Sequence, residues 1–167
     1  MILQEFSRCF SSGVNVDKAV EQTYRIGYIA RKLNVSVETI RTYEREGFLV
    51  PIKTATGQRL FNERDVEWAQ CIRSLIRKEG LNFEGIRRLL GLVPCWDLRP
   101  CSQKERSECV VFKATPTKPC WMMQSQIPLS CRSDDCRSCN MYIKATQCDN
   151  LKSLLFDLKH KKNGMGD

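Results

Sequence analysis

The sequence predicts a mainly α-helical fold. It reads as a winged helix-turn-helix over residues 24–91, a small cysteine-rich metal- or cluster-binding domain over 92–148, and a short C-terminal helix with its tail over 149–167. Three observations predict this. Apolar residues recur at helical spacing through the first half. A basic hairpin pattern, 49-LVPIKTATGQRLF-61, interrupts them. Eight of the ten cysteines crowd between Cys95 and Cys148, leaving only Cys9 and Cys71 elsewhere. Residues 1–23 show no sustained period and read as a flexible lead-in, with a short helix expected at Val16–Gln22.

Ile26, Ile29, Ala30 and Leu33 fall at i, i+3, i+4 and i+7, one apolar helical face. Asn34-Val35 breaks the pattern, and Ser36 is placed to cap a second helix with Glu38 in its first turn. Val37, Ile40 and Phe48 point inward, and Gly47 terminates that helix. Two short helices joined by a tight turn form a helix-turn-helix, whose second helix can enter the major groove of DNA. The outer face of this helix is expected to show Thr39, Arg41, Thr42, Tyr43 and Arg45, the alternative being a merely solvated charged face. In the hairpin, Thr56-Gly57 marks the turn and Lys53, Gln58 and Arg59 decorate it as a basic wing. Asn62 caps a long helix whose apolar stripe is Trp68, Ala69, Ile72, Leu75 and Ile76. Gly80 ends it, and Asn82 starts a further helix through Leu90.

The run 24–90 resembles the DNA-binding domain of the MerR family of transcription regulators. The resemblance rests on 26-IGYIARKL-33, 39-TIRTYEREGFL-49, Pro51, 57-GQRLF-61 with Asp65, and Gly80 with 86-IRRLL-90. It implies DNA contacts from Arg41, Tyr43 and Arg59, with Thr39 and Arg45 as neighbours; Lys53 joins them as a cation of the basic wing. It also implies a homodimer on double-stranded promoter DNA in a prokaryotic cytoplasm, distorting a long promoter spacer so that RNA polymerase engages both elements. One departure is plain: where the family continues into a long dimerisation helix, this chain has Pro94-Cys95-Trp96, and proline opposes helix continuation. A later leucine stripe, Leu151, Leu154, Leu155 and Leu158, suits either a dimer seam or the chain's own core.

Net charge agrees with a polyanionic partner: 27 Lys and Arg oppose 19 Asp and Glu, a formal +8. No apolar run approaches the ~18 residues of a membrane helix, so no membrane partner is expected. The one histidine, His160, lies far from the cysteines, and Asp134-Asp135 has no carboxylate partner at catalytic spacing, so an enzyme is not expected.

The cysteines admit four uses: disulfides, inert packing, zinc or iron–sulfur ligation. Disulfides are disfavoured in the expected compartment, and inert packing suits Cys71 better than eight thiols in one short region. The candidate ligands are Cys95, Cys101, Cys109, Cys120, Cys131, Cys136, Cys139 and Cys148. Cys131-x4-Cys136-x2-Cys139 has the spacing of plant-type [2Fe–2S] ferredoxins, with Cys148 or an upstream cysteine as fourth ligand. Arg132, Arg137 and Lys144 are placed to offset its charge. Only Cys136-x2-Cys139 forms a zinc-type knuckle. The near repeat 94-PCW-96 and 119-PCW-121, followed by C-x2-C-x2-Y, is similar to a two-CW type segment. The reading is therefore a DNA-binding regulator whose iron–sulfur cluster senses redox state or cluster supply. Zinc is the alternative cofactor, and an electron-transfer or metal-handling module the alternative class.

Overall fold

A computed structural model describes residues 22–99, 101–113, 117–132, 135–149 and 151. Residues 1–21 of the lead-in, nearly all of the helix expected at Val16–Gln22, and Leu154, Leu155 and Leu158 lie outside these residues.

Helices α1 (Ile26–Lys32) and α2 (Val37–Arg45) form the helix-turn-helix. The turn between them passes through Asn34 at φ +50°, a left-handed conformation that asparagine tolerates better than most residues. Ser36 caps α2, its side chain accepting from the Thr39 amide at 3.1 Å. Gly47, at φ +78°, reverses the chain after α2 and delivers Phe48 and Leu49 into the core. The wing is β2 (Ile52–Lys53) with β3 (Arg59–Phe61), antiparallel, closed around Gly57 at φ +76°. A third strand, β1 (Tyr24–Arg25), completes the order β1-β3-β2 by pairing Tyr24 with Phe61. Two residues carry no readable period, so this strand was not expected.

Helix α3 (Glu63–Arg77) opens with a capping box in which Asn62 and Asp65 each satisfy the other's backbone amide. It buries Val66, Trp68, Ala69, Ile72 and Leu75. Burial of side chains this large contributes ~1.5–3 kcal/mol each, and the Trp68 Nε1–H is satisfied by the Phe48 carbonyl at 2.9 Å. Helix α4 (Phe83–Gly91) adds Ile86 and Leu90, capped by Asn82.

The cysteine-rich region consists of short turns. Helices α5 (Cys95–Leu98), α6 (Gln103–Glu108), α7 (Val110–Lys113) and α8 (Asn140–Ala145) are joined by single 3-10 turns at Cys120–Met122, Gln124–Gln126, Leu129–Cys131 and Cys136–Ser138. Among the described residues no helix after α4 exceeds six residues. The core does not stop at residue 91. Val93, Met141, Ala145 and Leu151 belong to the same buried cluster as Ile40, Phe48 and Trp68. Leu151 is thus a residue of the chain's own core. A second, smaller cluster joins Cys109, Val111 and Ile127.

Candidate nucleic-acid interface and thiol site

On α2, Arg41 and Arg45 stand outward, their side chains 60% and 61% exposed, and both face Glu38, at 3.8 and 2.6 Å. Thr39 is half-buried and hydrogen-bonds the Ser36 hydroxyl at 2.9 Å as part of the cap. Tyr43 does not stand on the outer face. It is 4% exposed and meets Phe83 edge-on at 6.2 Å. Position 43 is three residues beyond Ile40, so it continues the inward stripe; the reading of Tyr43 as an exposed DNA contact is corrected on that ground. On the wing, Lys53 and Arg59 are cross-strand partners and both exposed. Arg59 Nε also donates to Glu44 on α2 at 2.7 Å, which ties the wing to the helix. Four exposed cations, Arg41, Arg45, Lys53 and Arg59, are therefore carried by the helix and the wing beside it.

Of the candidate thiols, Cys148 is withdrawn from the ligand set. It forms a disulfide with Cys71, with Cα atoms 5.8 Å apart, joining α3 to the last helical turn. Their separation of 77 residues gave the sequence no local signal. The other seven described candidates are free. Cys95, Cys101, Cys109, Cys120 and Cys131, from five separate turns, line one cavity walled by Trp96, Val111, Phe112 and Ile127. Cys101 and Cys131 bring their sulfurs to 3.2 Å. Cys136 and Cys139 adjoin this set through Cys120, whose thiol feels both of them.

Burial raises four of these thiols above the ordinary range. It pushes Cys120 up to about 12, with Cys95, Cys139 and Cys136 adding to the effect. It pushes Cys101 up to about 11, aided by Cys131, and raises Cys95 and Cys136 as well. Two side chains donate to sulfur: Arg99 to Cys139 at 3.4 Å and Gln124 to Cys136 at 3.0 Å. Arg106 lines the same cavity and its Nε is buried without a hydrogen-bond partner among the described residues. Glu105, beside the cavity, caps α6; hydrogen bonds, first to Ser130 and then to Ser102, hold its carboxyl down to about 2. Arg137, expected to offset cluster charge, is bound elsewhere, to Asp65 at 2.8 and 2.9 Å and to the Val50 carbonyl. Arg132 donates to the carbonyls of Ile127 and Ser125, both at 3.1 Å.

The donor types suit a thiophilic metal or cluster, with five thiols set in largely apolar walls, but they are not gathered as ligands. No three Cys, His, Asp or Glu side chains among the described residues converge as ligands of a single ion.

Residues 24–92 match the family described as MerR HTH family regulatory protein. They form a MerR HTH domain; the thiol site falls outside the match. Similar proteins include the HTH-type transcriptional regulator ZntR of Escherichia coli (strain K12), 37% identical over 70 residues, 41% of this chain and 49% of ZntR. The mercuric resistance operon regulatory protein of Bacillus cereus is 37% identical over 71 residues, 42% of this chain and 53% of that protein. The HTH-type transcriptional regulator AdhR of Bacillus subtilis (strain 168) is 32% identical over 62 residues, 36% and 44% of the two chains. The chain thus spans about half the length of these relatives. No solved structure matches it. No helix among the described residues is long and apolar enough to cross a membrane.

Proposed function

We propose that this protein is a DNA-binding transcription regulator rather than an enzyme, acting as a homodimer on promoter DNA in concert with RNA polymerase. Its cysteine-rich half holds an iron–sulfur cluster and reports redox state or cluster supply. The MerR HTH domain supports the DNA-binding part, with Arg41 and Arg45 reading or clamping DNA from α2 and Lys53 and Arg59 clamping phosphate from the wing. Thr39, tied into the cap, acts by holding the first turn of α2.

One observation carries the cofactor reading. Five thiols line one largely apolar cavity that Arg106 also lines, and the Arg106 Nε–H is buried with no partner among the described residues. An orphaned cationic donor is costly in an apolar wall and is met by an anionic sulfur centre. When bound, the cluster supplies thiolate-ligated iron whose charge changes with oxidation. Cys95, Cys101, Cys120 and Cys131, with Cys109, would hold it. Cys136 and Cys139 extend the array, and Arg99, Gln124 and Arg106 stabilise negative sulfur with N–H donors.

Zinc is the second reading. It asks only for thiolates gathered around one ion, and Cys101 and Cys131 already bring their sulfurs to 3.2 Å. A Bacillus cereus relative named for a mercuric resistance operon also makes a thiophilic ion a reasonable signal.

Purification and reconstitution without oxygen separate the two. Iron and acid-labile sulfide with visible absorption support the cluster; a colourless protein with stoichiometric zinc overturns it.

A further inference from the structure

The thiol segments also carry side chains that grip the DNA-binding domain, and several of these grips meet on one turn. Residues 46–51 run from the end of α2 to the base of the wing. Trp121, next to Cys120, donates its Nε1–H to the Gly47 carbonyl at 3.0 Å. Tyr142, three residues after Cys139, accepts the Val50 amide on its hydroxyl at 3.1 Å. Arg137, next to Cys136, donates to the Val50 carbonyl and to Asp65 at the head of α3. Trp121 and Tyr142 meet edge-to-face at 5.2 Å, so the two grips are one unit. Met122 closes on Gly47 so tightly that a Cβ there would meet its Cε at 2.7 Å. Both backbone polar groups of Val50 are therefore held by side chains from the cysteine-rich half.

We infer that Trp121, Arg137 and Tyr142 form a clasp by which occupancy of the thiol site sets the geometry of the turn between α2 and the wing. The inference rests on the reading that Cys120, Cys136 and Cys139 belong to a metal- or cluster-binding array. What fixes the sulfur of Cys120, Cys136 or Cys139 fixes a side chain one or three residues further along, and each of these side chains ends on residues 47–50. The turn lies between Arg41 and Arg45 on α2 and Lys53 and Arg59 on the wing. A shift of the clasp thus changes the spacing between the two sets of cations without touching either. These are positioning residues; none of them contacts DNA in this account. Signal and response are linked within one chain, through hydrogen bonds to the backbone of Gly47 and Val50.

Amide hydrogen exchange of the full chain, read on peptides covering 46–53, tests this. The protein is compared in three states: loaded with iron and sulfide, loaded with zinc alone, and stripped by chelator under reducing conditions. Loading slows exchange in 46–53 by about tenfold, the equivalent of securing one hydrogen bond. Tyr142→Phe and Trp121→Phe each keep wild-type metal content and lose the difference between loaded and stripped states. Equal exchange in loaded and stripped wild type overturns the clasp, as does a difference that survives in both variants. If the protein takes zinc but no iron and sulfide, and 46–53 still responds, the iron–sulfur reading falls and the clasp stands. If neither is bound, both fall.

Discussion

The guanidinium of Arg137 faces the carboxylate of Asp65 through two hydrogen bonds, 2.8 and 2.9 Å long, with the two side chains 12% and 5% exposed. Asp65 Oδ2 at the same time accepts the Asn62 amide that begins α3. One carboxylate thus caps a helix of the DNA-binding domain and anchors the loop between two candidate ligands. A buried charge that loses its partner is costly, whereas losing both partners is far less so.

Arg137→Met is therefore expected to destabilise the protein by about 3–5 kcal/mol. Asp65→Asn combined with Arg137→Met is expected to cost clearly less than the sum of the single changes. Urea unfolding of the two single variants and the double variant gives the coupling directly. Additive losses would mean that the pair contributes nothing as a pair.

The disulfide leads to a second expectation. Cys71 and Cys148 close a loop with a sequence separation of 77 residues. On the chain-entropy account a loop of this length adds roughly 4–5 kcal/mol when oxidised. Cys148→Ser should lose that amount in oxidising buffer and change little in strong reductant, as read by unfolding midpoints in the two buffers. A loss that is the same in both would assign the residue to packing rather than to the bond.

For DNA, Arg41→Ala should cost about 1–3 kcal/mol at a selected binding site if its contact is to a base. Arg59→Ala should weaken binding to all sequences alike and reduce the salt slope by roughly one phosphate contact. Titrations at several salt concentrations check both. If neither variant changes affinity while both stay folded, α2 and the wing are not the DNA surface.

The half-buried thiols Cys101 and Cys120 predict a pH dependence in the metal-free, reduced protein. Burial raises Cys120 from 9.0 to about 12 and Cys101 from 9.0 to about 11. A group that holds its proton more tightly when folded stabilises fully below its unfolded value. That stabilisation is lost as pH rises through the folded one. The melting temperature should hold up to about pH 9 and fall above it, and Cys120→Ala should flatten that fall. Metal uptake at neutral pH should release protons, measurable in weakly buffered solution. A stripped protein with the same melting temperature at pH 7 and pH 10.5 would contradict the burial of these thiols.

Much of this architecture was readable before any coordinates. The caps Ser36, Asn62 and Asn82 and the left-handed Gly47 and Gly57 leave local signatures, because each acts within four residues of itself. The stripe Trp68, Ile72 and Leu75 repeats at helical period. Tyr43 misled because the resemblance implied a DNA contact there, although its position continued the inward stripe of Ile40. The sequence did not reveal contacts between distant segments: Cys71 with Cys148, Arg137 with Asp65, Tyr142 with Val50. Such pairs have no period and no fixed spacing. The offsets within 120-CW-121 and 136-CRSCNMY-142 were visible, but their partner, the turn at 47–50, was not.

The central claim is that the state of the thiol site governs DNA recognition, and one comparison tests it most directly. A single anaerobic preparation is divided, one half kept loaded and the other stripped under reducing conditions, and both are titrated against the same selected duplex and an unrelated one. The account predicts that affinity for the selected duplex differs between the halves by about 5- to 150-fold, the usual span of coupling between two sites, while affinity for the unrelated duplex is unchanged. Equal affinity of the two halves for the selected duplex would contradict it.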